Sequence, residues 1–219
     1  KTANAFLMLL TTILTSRNLL KFNTMKLYFA SQNKHKIHEI AHRLASINAS
    51  LEVLGLQDLG HYQDLEESQN TFEGNALQKA AFIWHNYQVD CFADDSGLEV
   101  EALDMAPGIF SARYAGEQKN HADNIALLLK NMEGKNNRNA HFRTCIVLIL
   151  EGETHYFEGI ISGKIIEKPQ GNGGFGYDPI FVPNGQERTF AEMSLDEKNH
   201  MSHRSQAVSK LVEFIKQRI

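Results

Sequence analysis

The strongest constraint in this chain is a short apolar run followed at once by helical spacing. Residues 26–31 are rich in strand formers, and apolar residues then recur at Ile37, Ile40, Ala41, Leu44 and Ile47, one face of a helix. A strand, a polar loop and a helix in that order begin an α/β domain, where ligands gather at the junctions between elements. The pattern continues along the chain. It predicts a strand over 51–54, a polar connector over 57–70, and a helix capped by Thr71 that buries Phe72, Ala76, Leu77, Ala80, Ile83, Trp84 and Tyr87. Residues 91–93 read as a short strand ending in the polar run Asp94-Asp95-Ser96-Gly97, with extended structure resuming over 98–101. A Pro107-Gly108 turn, a helix over 121–132, two long strands over 140–150 and 154–166 joined at Gly152, and a helix over 205–218 complete the pattern. The expected fold is α/β, with a mixed sheet flanked by helices.

The 219 residues carry a formal net charge of −4. That balance argues against a nucleic-acid polymer as partner, because phosphate backbones are usually met by a basic surface. An anionic ligand would have to be held by a local cluster of cations or through a metal. Cys91 and Cys145 both lie in apolar runs and read as buried thiols of a reducing compartment. The apolar run over 5–14 is far short of the ~20 residues that span a bilayer, so no membrane anchor is expected. Residues 1–24 therefore read as an extension. Two origins fit it: sequence upstream of a domain that starts at Met25, or a targeting segment with no acidic residue before Glu39.

Three polar clusters carry the chemistry. Ser31-Gln32-Asn33-Lys34-His35-Lys36 sits at a strand to helix junction, where amides, a hydroxyl and ammonium groups can hold phosphate oxygens. An ordinary helix cap with solvated lysines has the same composition. Asp94 and Asp95 would point in different directions, one free for Mg²⁺ or water and the other orienting the loop, with Glu66-Glu67 upstream as a further oxygen source. A polar turn and a solvated acidic loop are the plainer alternatives. Gly171-Asn172-Gly173-Gly174-Phe175-Gly176-Tyr177-Asp178-Pro179 lets backbone approach a flat ligand, with Phe175 as a stacking face and Asp178 as an acceptor. A flexible loop would explain the glycines but not the embedded aromatics. Downstream, Ser194-Leu195-Asp196-Glu197 matches a capping box, followed by Lys198, His203 and Arg204.

In this order the clusters resemble the inosine triphosphate pyrophosphatase family, the non-canonical purine nucleoside triphosphate pyrophosphohydrolases. The resemblance rests on Ser31-x-Asn33-x-x-Lys36, Thr71-Phe72-x-x-Asn75-Ala76-x-x-Lys79-Ala80, Asp94-Asp95-Ser96-Gly97-Leu98, Pro107-Gly108-x-x-Ser111-Ala112-Arg113-Tyr114, Gly174-Phe175-Gly176-Tyr177-Asp178-Pro179 and Ser202-His203-Arg204. It spans nearly all of the chain after Met25. Gln32 and His35 depart from it, in a loop where the family often has glycine.

The resemblance implies an elongated mixed sheet with two lobes and the nucleotide in a cleft between them, carried by residues 25–219. It also implies Mg²⁺-dependent hydrolysis of ITP, dITP and XTP between the α and β phosphates, in a cytoplasmic homodimer. Glu67 and Asp95 would be the metal-side carboxylates, with Asp95 accepting the proton of the attacking water. Ser31, Asn33, Lys36, Lys79 and Arg113 would bind the phosphates. Ser96, Phe175, Gly176, Tyr177, Asp178, Lys198, His203 and Arg204 would contact the rest of the substrate, the cationic donors suiting the 6-oxo group of hypoxanthine or xanthine rather than the 6-amino group of adenine. Guanine shares the 6-oxo group, so its exclusion would depend on the 2-position. Two other readings are a septum-formation-inhibitor type of nucleotide pyrophosphatase, disfavoured by the cluster from Lys198 to Arg204, and a nucleotide sensor without turnover, disfavoured by Glu67 and Asp95.

Overall fold

The computed structural model describes residues 25–47 and 51–218; the extension over 1–24 lies outside the described residues. The described elements form one six-stranded mixed sheet in the order β2-β1-β3-β4-β5-β6. Its strands are β1 (Met25–Phe29), β2 (Leu51–Gly55), β3 (Cys91–Val100), β4 (Asn139–Leu150), β5 (Glu153–Ile165) and β6 (Phe181–Pro183). β1 runs parallel to β2 and β3, and the remaining pairs are antiparallel. The α-helices are α1 (Lys34–Ile47), α2 (Phe72–Tyr87), α3 (His121–Asn131), α4 (Leu195–Met201) and α5 (His203–Lys216).

Each face of the sheet is covered by the stripe that the sequence pattern marks. Ile40 and Leu44 of α1 pack with Ala207, Val208, Leu211 and Ile215 of α5 on Leu27, Phe29, Phe92, Ile146 and Leu148. On the other face, Phe72, Ala76, Ala80 and Ile83 of α2 meet Cys91, Ala93, Cys145, Val147 and Ile149. Both cysteines are buried and free, and burial pushes their thiols up to about 12. A third cluster forms farther along β3, where Leu98 and Val100 pack with Leu128 of α3, Phe142, Ile180, Phe181 and Phe190.

One expectation is overturned here. Asp94-Asp95-Ser96-Gly97 does not end a strand; it lies inside β3, every residue paired in register with β4 from Cys91↔Ile149 to Val100↔Ala140. Aspartate, serine and glycine favour turns, but ten consecutive ladder pairs and partners for each polar side chain outweigh that local preference. The polar break in β3 thus falls between apolar clusters, and the cleft opens there. Gly97 fits the same place for a steric reason: a Cβ on it would collide with the Gly108 carbonyl, lie 2.6 Å from Ser111 Oγ and 2.8 Å from the Phe72 ring. The strand β6 has no counterpart in the sequence reading, whereas α4 begins at the capping box expected over Ser194-Leu195-Asp196-Glu197, with both of its hydrogen bonds formed. Ser202 closes α4 and caps α5, its Oγ accepting from the Ser205 amide at 3.2 Å.

Candidate active site

Alternation along β3 sends its two aspartates to opposite faces. Asp94, fully buried, points toward α1 and α5: Lys36 Nζ lies 3.2 and 3.1 Å from its two oxygens, and Arg204 Nε lies 3.5 Å from Oδ2. Burial works to raise its pKa, but Lys36, Arg204 and Lys79 prevail and hold the carboxyl well below the usual range. Asp95 points toward α2. Its Oδ2 accepts from Asn75 Nδ2 at 2.9 Å, and its Oδ1 accepts from the Ser96 amide at 2.8 Å. Burial raises the Asp95 pKa, Lys79 and Lys36 oppose this, and the charge of Glu67 adds to the rise. Consecutive residues thus become an anchor whose ionised form its cations favour and a carboxylate with raised proton affinity.

One end of the cleft brings a capped helix N-terminus together with two lysines. Asn33 Oδ1 caps α1, accepting from the amides of His35 at 3.0 Å and Lys36 at 3.2 Å, while Ser31 Oγ accepts from the Asn33 amide at 3.2 Å. The cap is therefore real, but Lys36 is not a solvated lysine: it is largely buried against Asp94. Lys79 of α2 donates to Glu67 Oε1 and, at 2.7 Å, to the Asp94 carbonyl. Burial opposes its charge, yet Asp95, Glu67 and Asp94 together raise its pKa. Burial likewise works to raise Glu67, and Lys79 beside it carries the net shift downward. Arg113 approaches this group only through Glu67 Oε2, at 3.8 Å.

The other end is arranged around Phe175. Asp178 Oδ2 accepts from the Phe175 amide at 2.8 Å and from Lys198 Nζ at 2.6 Å. A Cβ on Gly174, whose φ is +68°, would strike that same carboxylate. Lys198 also donates to Glu39 Oε1 at 2.7 Å, and Arg204 Nη1 donates to Glu39 Oε2. Burial opposes the charge of Glu39, but Arg204 and Lys198 keep its pKa low. Arg204 Nη2 is 3.3 Å from Ser96 Oγ, which also pairs with Thr144 Oγ1 at 2.8 Å. His203 stacks flat on Phe142 at 4.8 Å, and burial together with Arg204 and Lys198 holds its pKa well below the ordinary value, leaving a neutral ring. Tyr177 is packed into the core, its hydroxyl donating to the Ser111 carbonyl at 2.9 Å.

These groups border one cleft of about 220 Å³, whose wall includes Ser31, Asn33, Lys36, Glu67, Lys79, Asp95, Ser96, Phe175, Gly176, Tyr177, Asp178, Lys198, His203 and Arg204. Arg113 is absent from that wall. The sequence reading missed Glu39, which joins the two cations at the Phe175 end, and gave no role to Asn75, which fixes Asp95.

The carboxylates fit Mg²⁺. Glu67 and Asp95 face the same space closely enough for one charge to raise the other's pKa, and a cation between them would relieve that repulsion. No group of three or more metal-ligating side chains occurs among the described residues. Mg²⁺ does not require one, since it is commonly held by one or two carboxylates together with substrate phosphates and water.

Known proteins share both sequence and fold with this chain. A Flavobacterium psychrophilum protein named dITP/XTP pyrophosphatase is 50% identical over 192 residues, covering 88% of this chain and 100% of that protein. One of the same name from Flavobacterium johnsoniae is 49% identical over 191 residues, covering 87% and 98%. The solved structure of the Staphylococcus aureus Ham1 protein superposes with a TM-score of 0.80 at 37% identity, covering 89% of this chain and all of that one. The Ham1 family model matches residues 27–214, and the chain belongs to the Ham1 family.

Proposed function

We propose that this protein hydrolyses the triphosphates of non-canonical purines, dITP, ITP and XTP, between the α and β phosphates, releasing the nucleoside monophosphate and pyrophosphate. The observation that carries the reading is that one cleft joins a lysine-lined carboxylate pair to an aromatic face ringed by buried cations. The names of the relatives support the substrate class.

In this mechanism Lys36 and Lys79 bind the triphosphate from opposite faces of β3. Lys79 spends two donors on Glu67 and the Asp94 carbonyl and keeps a third for a phosphate oxygen. Asn75 holds the Asp95 carboxylate in place, and Asp95 takes the proton of the attacking water. Its raised proton affinity makes it a better base than an exposed aspartate. Glu67 and Asp95 would hold Mg²⁺, which when bound neutralises phosphate charge and acidifies water. At the other end, Phe175 stacks on the base while Lys198 and Arg204 meet its 6-oxo edge. Lys198 uses two of its three donors on Glu39 and Asp178, and an adenine 6-amino group would leave the third without an acceptor.

Incubation with dITP and Mg²⁺ followed by product identification tests the reaction. Deoxyinosine monophosphate and pyrophosphate are expected in equal amounts; orthophosphate and a diphosphate would contradict the bond assignment, and faster hydrolysis of dTTP or UTP would contradict the purine site. The working form we expect is a cytoplasmic homodimer, with residues 25–219 as the catalytic domain. No described helix is long and apolar enough to cross a membrane.

A further inference from the structure

Phe175 sits in a segment that ought to be loose. Gly171, Gly174 and Gly176 all have positive φ, and residues 171–177 belong to no strand or helix. A loop this rich in glycine loses much conformational entropy when a ligand orders it, which weakens binding unless the loop is already fixed. Here it is fixed from two sides. His35, in the first turn of α1, stacks on the Phe175 ring with centroids 5.0 Å apart and planes 15° from parallel. His121, the first residue of α3, accepts the Gly176 amide on Nδ1 at 3.2 Å, and its ring lies 6.2 Å from Phe175 and 6.2 Å from His35.

The two imidazoles act differently. His35 does not border the cleft, whereas Phe175, Lys198 and Arg204 do, and Lys198 Nζ and Arg204 Cζ lie 4.9 and 5.6 Å from the ring centroid. His35 therefore backs the ring without itself lining the cleft. A base could not share its place, because insertion between two rings needs a separation of about 7 Å. His121 must be neutral at Nδ1 to accept an amide proton. Burial and the neighbouring His35 lower its pKa, with Asp178 acting in the opposite sense.

We propose that His35 and His121, reaching the glycine-rich loop from the starts of α1 and α3, are positioning residues that hold Phe175 as a preformed stacking face for the purine base. The proposal rests on the reading of the cleft as a nucleotide site. His35 lies in the loop where the sequence departs from the resembled family, and its ring backs the platform. The Asn33 cap uses only backbone amides at His35 and Lys36, so replacing the His35 side chain leaves the phosphate loop's hydrogen bonds intact.

A double-mutant cycle with steady-state kinetics on dITP tests this. Wild type is measured first: absent turnover would refute the nucleotide reading itself, separately from the clamp. His35→Ala is expected to raise KM about three- to tenfold, the factor of a lost stacked pair, with kcat changed less than about twofold. His35→Phe should restore KM. In a Phe175→Ala background, His35→Ala should have no further effect, and His121→Ala should show the same dependence on Phe175. Additive effects, or no effect of either alanine variant in a wild type that turns dITP over, would overturn the proposal. A fall in KM for His35→Ala would overturn it as well, since it would mean that the imidazole occupies the base's place.

Discussion

In the proposed mechanism a carboxylate only 6% exposed serves as the base, and its surroundings both hold it and raise its affinity for protons. Asp95 is gripped by Asn75 and the Ser96 amide, burial raises its pKa, and Lys79 and Lys36 limit the rise. Asp95→Asn keeps the size and one of the two accepted hydrogen bonds but loses the base. Turnover of dITP should fall at least about 100-fold while nucleotide affinity stays within a few-fold, measured by kinetics and by calorimetry on the variant. Unchanged turnover would remove Asp95 from the chemistry. The pH dependence has a definite sign. A base works only when deprotonated, so kcat/KM should fall on the acid side as Asp95 takes up a proton, and the residual activity of Asp95→Asn should lack that limb. The same acid limb in the variant would contradict the assignment.

At the scale of elements, β3 organises everything, and it tolerates little change. Gly97 leaves room for the turn over Gly108–Arg113 and for Phe72, so Gly97→Ala should destabilise the protein by about 1–3 kcal/mol in urea denaturation. Much of this scaffold was legible in the chain. The periodicity of Ile37, Ile40 and Leu44, the Thr71 cap and the hairpin at Gly152 are local signals, and each element formed where its signal lay. The interior of β3 was not legible, because strand pairing there depends on Lys36, Lys79 and Arg204 arriving from three separate helices. Glu39 shows the same limit more sharply. Nothing near it marks a buried acid, since its partners Lys198 and Arg204 are 159 and 165 positions away. His35 was visible only as part of a loop that departs from the resembled family; the ring it meets belongs to a loop 140 residues later in the chain.

Across the whole molecule, the buried charges form one chain from Lys36 through Asp94, Arg204, Glu39 and Lys198 to Asp178. Removing one member leaves the others uncompensated, so Asp94→Asn should cost about 3–5 kcal/mol at pH 7. The native Asp94 carboxyl is held far below its unfolded value. Its contribution is therefore complete above about pH 4 and is lost as pH falls toward the native pKa, so wild type and variant should converge in acid. Urea titrations at pH 7 and pH 3 would show this. The same chain of charges explains how a protein with net charge −4 can take a triphosphate: the cleft wall brings together Lys36, Lys79, Lys198 and Arg204 whatever the charge balance over the rest of the surface. In the proposed reading they also carry the selectivity for a 6-oxo base. The most direct measurement is the ratio of kcat/KM for XTP or dITP to that for ATP, with Mg²⁺ and at one pH. A ratio of at least about 100 is the expected result, from donors that adenine leaves unpaired; a ratio near one would contradict the account.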